Sequence, residues 1–238
     1  MIEAKGLRKS YGGKRVIDDV SFKVPTGKAF GFLGQNGSGK TTTIKMMVGI
    51  ISPDSGNITI GGMSPSDREA RKKMGFMPEA PYFYERLTGM EFLIFCNDLC
   101  GARKEKTEKS LEHILQETGI YEARDKTINT YSKGMKQRLG LAQALVNDPE
   151  YVFLDEPFDG LDPIGRREAK QIIKNLRAKG KTIFFNSHIL YDIEELCDEI
   201  GIIHEGKIIY CGPVKEFCGG KSLEDRFVSF ISSKAQSK

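Results

Sequence analysis

The sequence has few cysteines and no long apolar run, and these features exclude several classes of protein. It holds five cysteines, an odd number, and none of them stands in a C-x-x-C pair. This argues against a disulfide framework and against a zinc site. The longest strongly apolar run covers residues 92–96, which is far too short for a helix that crosses a bilayer. The first residues lead directly into a charged, strand-like segment, so we expect no signal peptide.

A strong excess of one charge is also lacking. With a net charge of +4 over 238 residues, the chain neither requires nor excludes nucleic acid or an anionic membrane as a partner. Its hydrophobic share of 39% and charged share of 29% are typical of a globular protein with one substantial core. No sustained heptad repeat is present, which argues against a long coiled coil. Composition therefore leaves the function open.

A glycine-rich segment fits the phosphate-binding pattern G-x-x-x-x-G-K-[ST] at every fixed position. It follows an apolar run that we interpret as a buried strand, and a helix-like stretch comes after it. Glycine allows a tight turn with inward N–H groups, and the helix N-terminus adds partial positive charge. Lys40 can reach the β- and γ-phosphates, and the Thr41 hydroxyl can ligate Mg²⁺. We predict a nucleotide-binding loop formed by Gly34, Gln35, Asn36, Gly37, Ser38, Gly39, Lys40 and Thr41.

A second motif is an apolar run, residues 151–156, that ends in the acids Asp155 and Glu156. This pattern is typical of a buried parallel strand with a metal site at its C-terminal edge. Asp155 would hold Mg²⁺ through water or Thr41, and Glu156 could polarise an attacking water. His188 follows another strand-like run. We therefore expect it at the same sheet edge, where it could contact a γ-phosphate.

Two predicted helix starts and one aromatic allow more than one interpretation. Ser132 is a natural N-cap followed by Gly134, so free N–H groups there could contact phosphate or could simply begin a helix. Asp162 and Pro163 begin another helix. Its basic face could touch phosphate or acidic lipid, although such faces are more often solvated. Tyr11, in a turn, is either a packing aromatic or a platform on which a base stacks.

Together these motifs resemble the nucleotide-binding subunit of ABC (ATP-binding cassette) transporters over nearly the whole chain. By this resemblance, Tyr11 stacks on adenine, the Walker A loop extends from Gly34 to Thr42, and Walker B is Tyr151 to Asp155. The resemblance further implies a signature segment that contacts a partner's ATP and a D-loop that contains Asp162. It assigns Glu156 as the catalytic acid, His188 as the switch histidine and Lys40 as a charge-neutralising group. The signature residues are Ser132, Lys133, Gly134 and Met135.

Two departures from the family pattern stand out. Glu79 occupies the place of the family's Q-loop glutamine. Its carboxylate could still ligand Mg²⁺ or water, but it adds negative charge near the phosphates. The signature has Lys133 and Met135 in place of glycine and glutamine. With the run at residues 84–88, these variants are similar to the drug- and polysaccharide-type (ABC-2) exporter branch.

The resemblance implies an α/β fold: a RecA-like P-loop NTPase core, an N-terminal antiparallel β subdomain and an inserted α-helical lobe. We expect a single ABC ATPase domain over residues 1–230. The core with its β subdomain would comprise residues 1–87 and 149–222, and the lobe residues 88–148. A C-terminal helix and tail would cover residues 223–238.

The resemblance also implies a function. Two such subunits, expected to be identical, would sandwich two ATP molecules with Mg²⁺ head to tail, so that ATP binding closes the dimer and hydrolysis releases it. We expect a transport ATPase at the cytoplasmic face of a membrane, docked on separate transmembrane permease subunits through the Glu79 loop and the helical lobe. No nucleic acid partner is expected. The alternative is a cytosolic ABC ATPase that acts on the ribosome or on an iron–sulfur assembly complex. A DNA-repair relative would carry a long coiled coil.

Overall fold

Strands and helices alternate along most of the chain, which the computed structural model describes over residues 1–100 and 108–235. The strands are β1 (Ile2–Tyr11), β2 (Lys14–Val24), β3 (Ala29–Leu33), β4 (Ser55–Ile60), β5 (Met74–Met77), β6 (Tyr151–Asp155), β7 (Thr182–Asn186), β8 (Glu199–His204) and β9 (Lys207–Pro213). The helices are α1 (Lys40–Met47), α2 (Arg68–Lys72), α3 (Gly89–Leu99), α4 (Glu108–Glu117), α5 (Lys133–Leu145), α6 (Pro163–Ala178), α7 (Leu190–Leu196), α8 (Val214–Cys218) and α9 (Leu223–Ala235). Residues 101–107 of the expected lobe and 236–238 of the expected tail lie outside this description.

The main sheet has the strand order β5-β6-β7-β3-β8-β9. Its first five strands are parallel, and β9 pairs antiparallel with β8 at the edge. Every residue of β3, β6 and β7 is buried, as expected for parallel strands that are covered on both faces. Because these three strands are neighbours, their C-terminal ends meet at one edge, and the polar residues that follow them are brought together there.

A second, antiparallel sheet has the order β2-β1-β4 and packs on the main sheet. Phenylalanine rings join the two sheets: the ring of Phe22 on β2 stacks on those of Phe30 and Phe184, with centroids 5.6 and 5.7 Å apart. The prediction of an antiparallel β subdomain beside a P-loop NTPase core is confirmed. This packing orients the β1–β2 hairpin relative to the loop that follows β3.

Helix termini are fixed by side-chain caps that the sequence encodes locally. Before α3, the Thr88 hydroxyl accepts a hydrogen bond from the Glu91 amide, and the Glu91 carboxylate accepts one from the Thr88 amide. The two bonds form a capping box. The hydroxyl of Ser132 accepts from the Met135 amide at the start of α5. The expected cap by Ser132 is therefore present, and it sets where the N-terminus of α5 lies.

Helices α3 to α5 share one hydrophobic core with a face of the main sheet. Leu93 of α3 and Leu139 of α5 belong to the same cluster of buried side chains as Leu154 of β6. The division into a core and a helical lobe near residues 88 and 148 stays a prediction, because this cluster contains residues from both segments. Among the described residues, no helix is both long and apolar enough to cross a membrane.

Candidate functional site

The predicted phosphate-binding segment forms the turn between β3 and α1, at the C-terminal edge of the main sheet. Gly39, which precedes α1, has a φ of 109°, a conformation that L side chains rarely adopt. A Cβ atom at Gly34 would lie 2.4 Å from the carbonyl oxygen of Ile203, so a larger residue would displace backbone. Both glycines are thus required by this geometry. The loop exposes the N-terminus of α1 to any anion that enters.

Lys40 is the first residue of α1 and only 8% of it is exposed. Its ammonium group donates hydrogen bonds to the carbonyl oxygens of Gly34 and Gln35, at 2.8 and 3.2 Å. Burial lowers the pKa of Lys40, and the neighbouring carboxylates act in the opposite direction. The Lys40 ammonium therefore stabilises the loop by bonding its carbonyl groups. It also lies where a phosphate bound in the loop could contact it.

Asp155, the last residue of β6, is almost completely buried at the same edge. One of its carboxylate oxygens, Oδ1, accepts a hydrogen bond of 2.6 Å from Nδ2 of Asn186, its partner in the β6–β7 register. Burial raises the pKa of Asp155, and hydrogen bonds from Asn186 and Thr41 work against this. The charges of Glu79 and Glu156 raise it further. Thr41 and Asp155, two of the expected Mg²⁺ ligands, thus lie side by side.

Glu156 has a left-handed backbone, with a φ of 51°. Its amide donates to Oδ1 of Asn186 at 2.9 Å, and its carbonyl oxygen accepts from Nε2 of Gln137 at 3.1 Å. A left-handed conformation costs a non-glycine residue roughly 1–2 kcal/mol. The carbonyl oxygen also accepts from the Asp159 amide at 3.1 Å. A hydrogen bond contributes about 0.5–1.5 kcal/mol net, so these three bonds together are of the right size to hold this conformation.

The side chain of Glu156 is held by the predicted switch histidine. Its Oε2 atom lies 2.8 Å from Nδ1 of His188 and accepts a second hydrogen bond, of 3.1 Å, from the His188 backbone amide. Because an ionised carboxylate only accepts, Nδ1 carries the proton in this contact. The prediction that His188 lies at the same sheet edge as Asp155 agrees with this geometry.

A cleft of about 360 Å³ joins most of these groups. It is lined by Val16, Asn36, Gly37, Gly39, Lys40, Thr41, Thr42, Glu79, Glu156 and Asn186. Glu79 reaches it from the loop after β5. Ser38 is buried in the loop, and its hydroxyl oxygen has no hydrogen-bond partner in the part of the chain that the structure describes. Tyr11 does not line the cleft; about half of it is exposed, and the Lys9 ammonium lies 5.6 Å from its ring centroid.

The cleft offers donors that suit Mg²⁺. The Thr41 hydroxyl and the Asp155 carboxylate supply oxygens, and Mg²⁺ in such sites takes its remaining ligands from phosphates and water. A cation at this position would also compensate the burial of the Asp155 charge. Among the described residues, no group of three or more His, Cys, Asp or Glu side chains could enclose a metal by itself. Phosphate oxygens and water would complete this coordination.

The residues of the expected signature segment lie away from this cleft, at the N-terminus of α5. Ser132 and Lys133 are exposed, and Gly134 and Met135 are partly so. The Lys133 ammonium forms an ion pair of 2.7 Å with Asp159. Asp162 caps α6, since its Oδ1 atom accepts from the Gly165 amide at 2.7 Å. None of these residues lines the nucleotide cleft of its own chain.

Two buried amides, Asn186 and Gln137, were not predicted from the sequence as site residues. Asn186 ends a buried strand two residues before His188, so a polar residue at that point was a usable signal. Gln137 precedes Leu141 and Ala144 at helical spacing, and all three are buried on α5. A polar residue on such a stripe indicates that a partner exists, but the pattern does not show which.

Comparison with known proteins gives a consistent result. The model of the ABC transporter family matches residues 17–159. An uncharacterised ABC transporter ATP-binding protein of Synechocystis is 44% identical over 205 residues, or 85% of this chain; the chain spans 58% of that relative, less than two thirds of its length. A lantibiotic transport ATP-binding protein of Streptococcus pyogenes is 37% identical over 227 residues, which cover 95% of this chain and 96% of the relative.

Solved structures agree with these relatives. One, an ATP-binding subunit of an ABC transporter, has a TM-score of 0.90 and 32% identity, and the match covers 97% of this chain and 99% of that one. Another is a dimeric ATP-binding cassette in a post-hydrolysis state with bound ADP and Pi. Its TM-score is 0.83 and its identity 22%, over 90% of this chain and 99% of that one. At that identity the second likeness concerns the fold alone.

The burial of Asp155 generates a prediction for the protein without nucleotide or divalent cation. Because burial raises the pKa of Asp155, the folded state loses stability as the pH rises from the ordinary pKa of the group through its folded pKa. The substitution Asp155→Asn keeps the shape and removes the charge. We expect it to raise the free energy of unfolding at pH 8, with a gain that shrinks toward about pH 4. Urea unfolding between these pH values measures the effect.

A control with the opposite sign is Asp54→Asn. The pKa of Asp54 is lowered, first by its hydrogen bond with Lys9, so this substitution should cost stability at pH 8 and lose its effect as the pH falls. An Asp155→Asn gain that is the same at every pH would show that burial of the charge is not its cause.

Proposed function

Since this chain belongs to the ABC transporter family and is an ATP-binding, ATP-hydrolysing subunit, we propose that it powers export through separate transmembrane permease subunits. The observation that carries the proposal is the cleft at the sheet edge, where the Lys40 loop, the buried Asp155 and the backbone-fixed Glu156 meet. Peripheral attachment at the cytoplasmic face of the membrane is part of the same proposal.

Each group in the cleft has a role in this proposal. The loop from Gly34 to Thr42 binds the phosphates of ATP through its amides and the N-terminus of α1. Thr41 and Asp155 would hold Mg²⁺, and Glu79 would bind it directly or through water. When bound, Mg²⁺ neutralises charge on the phosphates. Lys40 is also placed to neutralise charge on the phosphates, because its ammonium group already lies against the loop.

Hydrolysis in this proposal depends on Glu156. Its carboxylate orients the attacking water. Because Oε2 is bonded to His188, the other carboxylate oxygen stays available for this water. His188 contacts the γ-phosphate when ATP is present, so the state of the nucleotide and the position of the acid are linked through one hydrogen bond. Tyr11, at the end of β1, stacks on the adenine. Its exposed ring leaves a face open to a base.

We further propose that each site is completed by a second copy of the chain. The signature residues Ser132, Lys133, Gly134 and Met135 line no part of their own chain's cleft, yet they stand at the N-terminus of a 13-residue helix. Such a terminus favours an anion. A head-to-tail dimer would put these residues, and Asp162 nearby, against the partner's ATP. The fold shared with a solved dimeric cassette supports this arrangement.

Docking on the permease is proposed through the loop after Glu79 and through α3. Tyr82 on this loop is 90% exposed and Leu99 of α3 is 71% exposed. Tyr84 packs edge-on against Phe95, with ring centroids 5.3 Å apart, so the loop and α3 present one surface. Its groove of about 500 Å³ is lined by Pro81, Tyr82, Phe83, Tyr84, Glu85, Arg86 and Lys136. Exposed apolar patches of this kind mark interaction sites.

The export direction rests on the signature variants and on relatives. The Streptococcus relative is named for lantibiotic transport, and Lys133 and Met135 resemble the drug-type branch. The alternative, a cytosolic ABC ATPase acting on a ribosome or iron–sulfur complex, would use the same cleft. Under this alternative, the surface formed by the Tyr82 loop and α3 would contact a ribosome or iron–sulfur complex and not a permease.

Hydrolysis should depend on the charge of Glu156. Glu156→Gln keeps the shape and the backbone contacts but removes the charge that orients water. We expect ATP to bind with little change and kcat to fall by roughly 10²-fold or more. Nucleotide titration and phosphate release measure the two quantities. Glu150→Gln, six residues earlier and just before the N-terminal end of β6, is the control and should keep its activity. Turnover close to normal in Glu156→Gln would remove Glu156 from the mechanism.

A further prediction concerns the shared site. One chain carries Gly134→Asp, which sets a carboxylate against the partner's phosphates; a Cβ there makes only ordinary contacts, the nearest at 3.6 Å. The other carries Lys40→Met. Each homodimer should be inactive, whereas mixed dimers isolated with two affinity tags should recover activity, since one site keeps both intact halves. Recovery of no activity in the mixture would contradict a site shared between two copies.

Another prediction concerns docking. Tyr82→Asp places a charge on the proposed surface and should reduce recovery of membrane subunits with the tagged chain from detergent-solubilised membranes, while ATP binding is kept. Val228→Asp, at an exposed apolar residue of α9, is the matched control and should not reduce it. If the unsubstituted chain itself recovers no membrane protein, the proposal of a permease partner fails and the cytosolic alternative is favoured.

A further inference from the structure

A buried glutamine connects α5 to the segment that contains Glu156. Gln137 lies on the second turn of α5, is 4% exposed, and donates its Nε2–H to the Glu156 carbonyl oxygen at 3.1 Å. The N-terminus of the same helix carries the signature residues. The helix that faces a partner's nucleotide is therefore bonded to the backbone of this chain's own Glu156.

The Gln137 hydrogen bond restrains the carbonyl side of Glu156, whereas the amide side of the residue is held from the core. The amide of Glu156 is fixed by Asn186, which belongs to the neighbouring strand of the same sheet. The carbonyl oxygen of Glu156 accepts from Nε2 of Gln137 and from the Asp159 amide, at 3.1 Å each, and Gln137 is the donor that comes from α5. Because the φ of Glu156 is 51°, its backbone lies in the less common left-handed region, and these bonds help to hold it there.

The ion pair between Lys133 and Asp159 also connects α5 to this segment, but it is a weaker restraint. The Lys133 side chain is 69% exposed and that of Asp159 is 42% exposed, so water and salt screen the pair. The Gln137 bond comes from a buried side chain, is itself partly buried, and ends on Glu156. It is therefore the most direct contact through which a displacement of α5 would reach the acid.

We propose that Gln137 is a positioning residue: it lies on the helix that serves the partner's ATP, but it acts on Glu156 of its own chain. This inference rests on the proposed function, because the two sites it links exist only in a head-to-tail dimer. When the partner's ATP engages Ser132 and Gly134, α5 and the Glu156 peptide respond as one unit. Each chain then hydrolyses its ATP according to whether the other site is filled.

The first test uses the unmixed protein. Gln137→Glu keeps the length and loses the donor, Gln137→Met loses it without a charge, and Gln143→Glu on the same helix is the control. We expect kcat to fall about tenfold in both Gln137 variants, which corresponds to about 1.4 kcal/mol. KM, affinity for a fluorescent ATP analogue without Mg²⁺, and the thermal midpoint should stay close to those of the control. Loss of affinity equal to the loss of kcat would overturn a positioning role.

The second test locates the effect in the mixed dimer that has one intact site. There the Lys40 loop and Glu156 come from the Gly134→Asp chain, and the signature comes from the Lys40→Met chain. Adding Gln137→Glu to the Gly134→Asp chain should lower activity about tenfold. Adding it to the Lys40→Met chain should lower activity by less. The reverse order would show that Gln137 supports the signature and would overturn the inference.

The two proposals fail separately. If the parent mixture recovers no activity, the shared site is wrong, and the unmixed protein still decides whether Gln137 positions Glu156. If the mixture recovers activity but kcat of both Gln137 variants is unchanged, the shared site stands and the role of Gln137 is wrong.

Discussion

The burial of a carboxylate at the end of a parallel strand is the constraint on which the rest of the site depends. Asp155 is placed in the interior by β6, and its charge is opposed by burial and by the nearby charges of Glu79 and Glu156. Among the residues that the structure describes, it receives hydrogen bonds but no direct ion pair, since Lys40 is directed to the loop carbonyls. A cation bound beside Asp155 would offset the free energy that this burial costs. Binding of Mg²⁺ together with a nucleotide would thus be favoured by the charge of Asp155.

The same edge explains why amide side chains, not further charges, hold the site together. Asn186 both donates to Asp155 and accepts from the Glu156 amide, which a lysine, an arginine or an ionised carboxylate could not do, because each of these only donates or only accepts. Gln137 contributes a donor to a carbonyl oxygen and adds no charge. Neutral groups fix the geometry, and the charged groups remain available to the ligand.

Much of this could be predicted from local sequence, and the remainder depends on contacts between distant segments. The loop from Gly34 to Thr41 and the acids after β6 are visible because the strand, turn and polar residues are consecutive. The α/β architecture with an antiparallel subdomain came from the family resemblance and is confirmed by the structure. The strand order that sets Asn186 beside Asp155 has no local signature, because β6 and β7 are joined through α6.

The left-handed backbone of Glu156 could not be predicted either. A glycine would have marked such a position in the sequence, but glycine carries no carboxylate, so at Glu156 the conformation is held by neighbours instead. Those neighbours come from β7, from α5 and from the Asp159 amide of the following turn. In the proposed dimer, α5 would contact the partner's nucleotide, and its bond to Glu156 would be a point of control. Because a non-glycine residue adopts this left-handed conformation at a cost, the position of Glu156 depends on more of the structure than its own loop.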